Sequence, residues 1–150
     1  MATSQTQEFQ VNTARDALAL LSRSIYQKFG EEALPLINDV CHKLGVAAGE
    51  HMKEEISAPG LIATAEAFIA GARKRGSPIE VIEISDEKVH IKGYKCGLGL
   101  AKTDRKLCEA MMAMDKAIFE TASEMKVKLD IAKTLAAGDL YCETIYTVVR

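Results

Sequence analysis

Residues 104–122 read DRKLCEAMMAMDKAIFETA, and the reading of this stretch decides how the rest of the chain is arranged. Leu107, Cys108, Met111, Met112, Ile118, Phe119 and Ala122 recur at helical spacing and form one broad apolar stripe. Arg105, Lys106, Glu109, Lys116 and Glu120 occupy the other side, so the stretch predicts an amphipathic helix over 104–122. Asp115 breaks the pattern: it stands seven residues after Cys108 and three before Ile118, inside the stripe. A carboxylate enclosed there costs on the order of several kcal/mol unless a partner compensates it.

The segments on either side supply a surface for this helix to cover. Upstream, Ile79–Ser85 and Lys88–Tyr94 alternate with period two around Asp86-Glu87, which predicts a hairpin. Downstream, Lys126–Ala136 and Leu140–Val149 predict a second hairpin around Ala137-Gly138-Asp139. Hairpin, helix, hairpin favours an α+β fold: N-terminal helices plus a four-stranded antiparallel sheet packed on one face by helix 104–122. The N-terminal half reads as three helices: Val11–Phe29, with Leu18, Leu21, Ile25 and Phe29 in its stripe; Glu31–Ile56; and Leu61–Lys74. Arg75 to Pro78, RGSP, closes that half. The expectation is one domain over residues 1–150, with a loose tail at 1–10, a helical half at 11–74 and a sheet-plus-helix half at 79–149.

Composition narrows the function classes. With 150 residues the chain is long enough for one sizeable core. Charges are mixed, with a formal net charge of −2 and no basic stripe, which argues against nucleic acid as a partner. No apolar run approaches the roughly 18 residues of a membrane span, and MATSQTQEFQ lacks the apolar core of a signal peptide. A cytoplasmic protein with no membrane partner is expected. The four cysteines, Cys41, Cys96, Cys108 and Cys142, form no CxxC pair and read as free thiols in a reducing compartment.

Strand parity offers Asp115 a partner. Val127, Leu129 and Ile131 share one face, and Lys133 continues it at the strand's end, facing the covering helix. A buried Asp115–Lys133 pair is one outcome; a Lys133 that snorkels to solvent, or serves as a pocket's binding group, is another. Cys96 opens CGLGLAKTD, a glycine-containing loop before the helix, where a reactive thiol is well placed. His90 alternates with Lys88 and Lys92 and is expected on the solvent side, and no Cys/His spacing matches a zinc site.

KCGLGLA, then Leu107-Cys108 with Asp115 seven residues beyond the cysteine, then KTLAAGDLYC, resembles the L-2-amino-thiazoline-4-carboxylic acid hydrolase-like family. That family is related to the 4-vinyl reductase-type small-molecule-binding domains. The resemblance covers roughly residues 79–149 and is most specific at Gly138-Asp139-Leu140-Tyr141-Cys142. Two positions depart from it: Cys96-Gly97 stands where the family has Cys-Pro, and Lys133 where arginine is frequent. Sensor members of the wider group bind zinc upstream of the G-D-x-x-C turn, and the matching Ile131 and Thr134 are not zinc ligands. The resemblance implies a hydrolase acting on a small C–N or C–S compound, with Cys96 or Cys108 as nucleophile and Asp115 as base or orienter. It also implies an alternative, a non-catalytic ligand-binding or sensor module with the same residues in its pocket. In either case Lys133, Asp139, Cys142 and Tyr94 are the expected ligand-binding residues, with no cofactor, no metal and a homodimer as a possible assembly.

Overall fold

The structure is a computed structural model and describes residues 10–96 and 98–150, so all of the tail at 1–10 except Gln10 lies outside the described residues. Helix α1 spans Ala14–Phe29, and a 3-10 turn at Gly30–Ala33 leads into α2, Leu34–Glu55. Helix α3 spans Leu61–Lys74. Strands β1 (Ile79–Ile84) and β2 (Lys88–Gly93) form the first hairpin, and β3 (Val127–Lys133) and β4 (Cys142–Val148) the second. Between them lie α4, Arg105–Met111, and α5, Ala113–Ser123. The four strands form one antiparallel sheet in the order β1-β2-β4-β3, as the alternation of the two hairpins predicts.

The expected helix over 104–122 is thus two segments meeting at Met112, whose ψ of −8° flattens the turn. The direction is kept, because Met112 N–H still donates to Cys108 O at 2.8 Å and Lys116 N–H to Met112 O at 3.1 Å. Asp104 caps the start, its carboxylate accepting Lys106 N–H at 2.6 Å. The break puts Asp115 in the first turn of α5.

α5 is the central helix. Its outer side packs on α2 with almost no space between backbones: a Cβ on Gly45 would overlap Met114 O and lie 2.7 Å from Ala117 Cβ, and one on Gly49 would lie 2.6 Å from Thr121 Cβ. Its inner side meets the sheet through Phe119, fully buried and stacked on Tyr146 with ring centroids 4.0 Å apart. Phe68 of α3 approaches Phe119 at 5.0 Å and continues the same core.

Two expectations are corrected. The stripe of α1 is rotated: Ala19 and Ser22 are buried and Leu18, Ile25 and Tyr26 pack on the core, whereas Leu21 and Phe29 are exposed. The alternation of β3 ends at a bulge between Ile131 and Lys133, so Lys133 pairs with Glu143 and is exposed rather than buried. Glu143 points to the open face of the sheet, where it bonds His90 Nε2 at 2.6 Å.

Candidate functional site

Toward the end of the sheet where β2 runs out and β4 begins, the layer between helices and strands is hollow. A cavity of about 110 Å³ lies there, with mostly apolar walls supplied by Phe68, Ile91, Leu98, Met112, Ile131 and Tyr146. A single water needs about 10–15 Å³ on that scale, so the space suits a small organic molecule. Asp115, Cys96, Cys108, Cys142 and Lys133 all reach it, as do Arg15 and Arg75.

Asp115 is half-buried, and its carboxylate faces the cavity without a hydrogen bond or ion pair among the described residues. Burial pushes its pKa from 3.8 up to about 6, against the opposing pull of the Arg15 and Arg75 guanidiniums. The charges acting on Asp115 are therefore these two arginines, and no ion pair joins it to Lys133 among the described residues. Arg15 comes from the first turn of α1, which is fixed by a capping box: Thr13 Oγ1 accepts Asp16 N–H at 3.1 Å and Asp16 accepts Thr13 N–H at 3.2 Å. Arg75 caps the C-terminal end of α3.

Three of the four thiols converge on the cavity. Cys96 Sγ is half-buried and accepts Leu100 N–H at 3.2 Å. Cys108 Sγ accepts Thr134 Oγ1–H at 3.2 Å, and Cys142 Sγ accepts Leu135 N–H at 3.4 Å. Burial pushes the Cys108 thiol up to about 11, so at neutral pH it is a thiol rather than a nucleophilic thiolate. Cys142 is raised too, by burial first. Cys41 is fully buried on α2 and likewise pushed up to about 11.

Asp139 and Tyr94 stand outside the cavity wall. Asp139 holds the turn before β4, accepting Thr134 N–H at 2.9 Å, and so fixes the residue that bonds Cys108. Tyr94 is exposed and donates to Glu80 Oε1 at 2.5 Å. Tyr146 belongs to the site although the sequence reading had no place for it. Burial holds its phenol well above the ordinary range, so it stays protonated close to Asp115 and Thr144. Among the described residues no cluster of His, Cys, Asp and Glu could hold a metal ion, and no helix is long and apolar enough to cross a membrane.

The site is thus a hollow between an antiparallel sheet and the helices that cover one of its faces. The family described as L-2-amino-thiazoline-4-carboxylic acid hydrolase matches residues 11–146, and the chain belongs to it. Among solved structures the fold is similar to the phenol-responsive sensory domain of the transcription activator PoxR with phenol. That match has a TM-score of 0.63 at 14% identity and covers 93% of this chain and 76% of the other. It is also similar to a trafficking protein particle complex subunit 3 from Naegleria fowleri covalently bound to palmitic acid. There the TM-score is 0.65 at 14% identity, covering 91% of this chain and 96% of the other. A comparison with curated proteins finds no match.

Proposed function

We propose that the cavity binds and hydrolyses a small C–N or C–S compound of the thiazoline-carboxylate type, with Asp115 as general base. The observation that carries this reading is a cavity-facing carboxylate with no protein partner and a pKa raised to about 6, close to where a base works best at neutral pH. The substrate in the family's name has a ring carbon bonded to two nitrogens and a sulfur. Water adds to that carbon while Asp115 takes its proton. The adduct then collapses with cleavage of the ring C–N or C–S bond, and the proton passes from Asp115 to the departing nitrogen or sulfur. The Tyr146 hydroxyl, held protonated, can donate a hydrogen bond to the adduct.

Of the two cysteines expected as nucleophile, Cys108 is the poorer, since burial keeps it a thiol. Cys96 is half-buried, and its sulfur accepts an amide hydrogen bond, so a covalent route would run through it. A second reading, ligand binding without turnover, is favoured by the raised thiols Cys108 and Cys142. The test incubates the purified protein with 2-amino-thiazoline-4-carboxylate and follows, by mass spectrometry, a product one water heavier. Turnover is expected, falling about 100-fold or more in Asp115→Asn. Saturable binding with no product in the wild type would replace the hydrolase by the binding module.

A further inference from the structure

We propose that Arg15 and Arg75 form a two-part clamp for the carboxylate of the cavity's ligand, and that the bound carboxylate fastens α1 to the rest of the domain. This rests on the reading that the cavity is the ligand site, but not on hydrolysis. The two guanidiniums arrive from separate elements, the first turn of α1 and the end of α3, and both line the cavity. Among the described residues neither makes a hydrogen bond or ion pair. Arg75 lies back along its helix, with Nη1 3.4 Å from where a Cβ on Gly71 would stand. Each feels the other and Asp115, so two permanent cations share one carboxylate that is itself drawn toward its neutral form. The imbalance leaves at least one positive charge uncompensated beside mostly apolar walls, where an anion is favoured. Guanidinium forks match a carboxylate in shape as well as charge.

Among the described residues α1 buries few side chains, and Tyr26 adds a side-chain hydrogen bond to Asp104. Only Ala19 and Ser22 of the helix are buried, and Gly30, with φ of 67°, turns the chain immediately after it. Leu18, Ile25 and Tyr26 rest on the core, and Arg23 Nη1 donates to Gly99 O at a long 3.4 Å. A carboxylate held by Arg15 from α1 and Arg75 from α3 would add a charged bridge to these contacts. Lys95 and Lys133 also line the cavity and add to its positive field; both are exposed, as is Arg75 at the cavity's mouth, whereas Arg15 is half-buried.

The probe is thiazolidine-4-carboxylate, a saturated ring acid without the amidine-like carbon at which water would add, compared with thiazolidine lacking the carboxylate. Calorimetry should show the acid binding the wild type and thiazolidine binding at least about tenfold more weakly. Arg15→Gln and Arg75→Gln should each weaken the acid about tenfold or more, the loss expected for a charge-assisted hydrogen bond. Lys74→Gln, an exposed neighbour, should bind as the wild type does. Hydrogen exchange of amides 14–29 should slow on saturation in the wild type and less so in Arg15→Gln. No binding of the acid, equal binding of both rings, wild-type affinity in the arginine variants, an equal loss in Lys74→Gln, or unchanged exchange in α1 would each overturn the clamp. Loss of turnover with probe binding intact would remove the hydrolase and leave the clamp standing.

Discussion

Phe119 and Asp115 stand one turn apart on α5, and Tyr146 and Thr144 stand two residues apart on the same face of β4. At one end of this short span the gap between helix and sheet is filled by stacked rings; at the other it is a cavity bounded by a lone carboxylate, thiols and guanidiniums. The same two elements therefore build a closed core and an open site, and the difference lies in side-chain volume and polarity rather than in backbone. Burial without voids gives the filled end its stability. The hollow end forgoes those contacts and keeps a carboxylate whose charge burial disfavours, which is costly for folding.

The sharpest way to break this comparison is to empty the filled end. Phe119→Ala removes a fully buried ring flanked by Tyr146 and Phe68 and should cost about 3–5 kcal/mol in denaturant unfolding. Met112→Ala, at the cavity wall, merely enlarges a space that already exists and should cost clearly less. Equal losses would mean that the two ends are packed alike.

The next effect is electrostatic and comes from the hollow end. Asp115 has a pKa of about 6 in the folded protein against an ordinary 3.8, so the folded state holds this proton more tightly than the unfolded one. Its stabilising contribution is full below about pH 4 and is lost as pH rises through about 6. A shift of roughly two units corresponds to about 3 kcal/mol. Asp115→Asn carries no such proton, so its stability relative to wild type should rise by about that amount between pH 4 and pH 7. A pH-independent difference would place the carboxylate in a water-like environment.

How much of this was legible in the sequence depends on whether a residue violates a pattern. Asp115 does, because it interrupts an apolar stripe, and the structure places it on the cavity wall. The sheet was legible for the converse reason: the β-branched, alternating sequence of the two hairpins survives one bulge in β1 and one in β3. Arg15 and Arg75 violate nothing. One sits in a helix's first turn and the other in the RGSP boundary, places where charges are ordinarily solvated. The capping box at Thr13–Asp16 fixes where α1 begins, but only the tertiary fold aims Arg15 at the cavity. Tyr146 reads as one more aromatic on an alternating strand. Lys133 is exposed rather than buried for a specific reason, since one extra residue at Ala132 interrupts the alternation, although the residue still reaches the cavity.

That bulge makes the smallest expected effect the most discriminating one. On alternation alone, Lys133 and Asp115 form a buried pair, and removing either side chain strands the other charge at about 3–5 kcal/mol. In the structure Lys133 is exposed opposite Glu143, and Asp115 answers instead to Arg15 and Arg75. Lys133→Ala should therefore change stability by less than about 0.5 kcal/mol, as exposed charges do. The double mutant with Asp115→Ala should be additive within about 0.5 kcal/mol, whereas the cycle of Asp115→Ala with Arg75→Ala should show coupling. Both cycles are run above pH 7, where Asp115 is charged; at pH 4 the Arg75 coupling should fade as the carboxyl takes up its proton. Strong coupling to Lys133 with none to Arg75 would restore the uninterrupted strand and move the cavity's charge balance to the sheet. Coupling to Arg75 alone puts the positive side of the site on the helices, one of which, α1, is held to the body by few buried side chains.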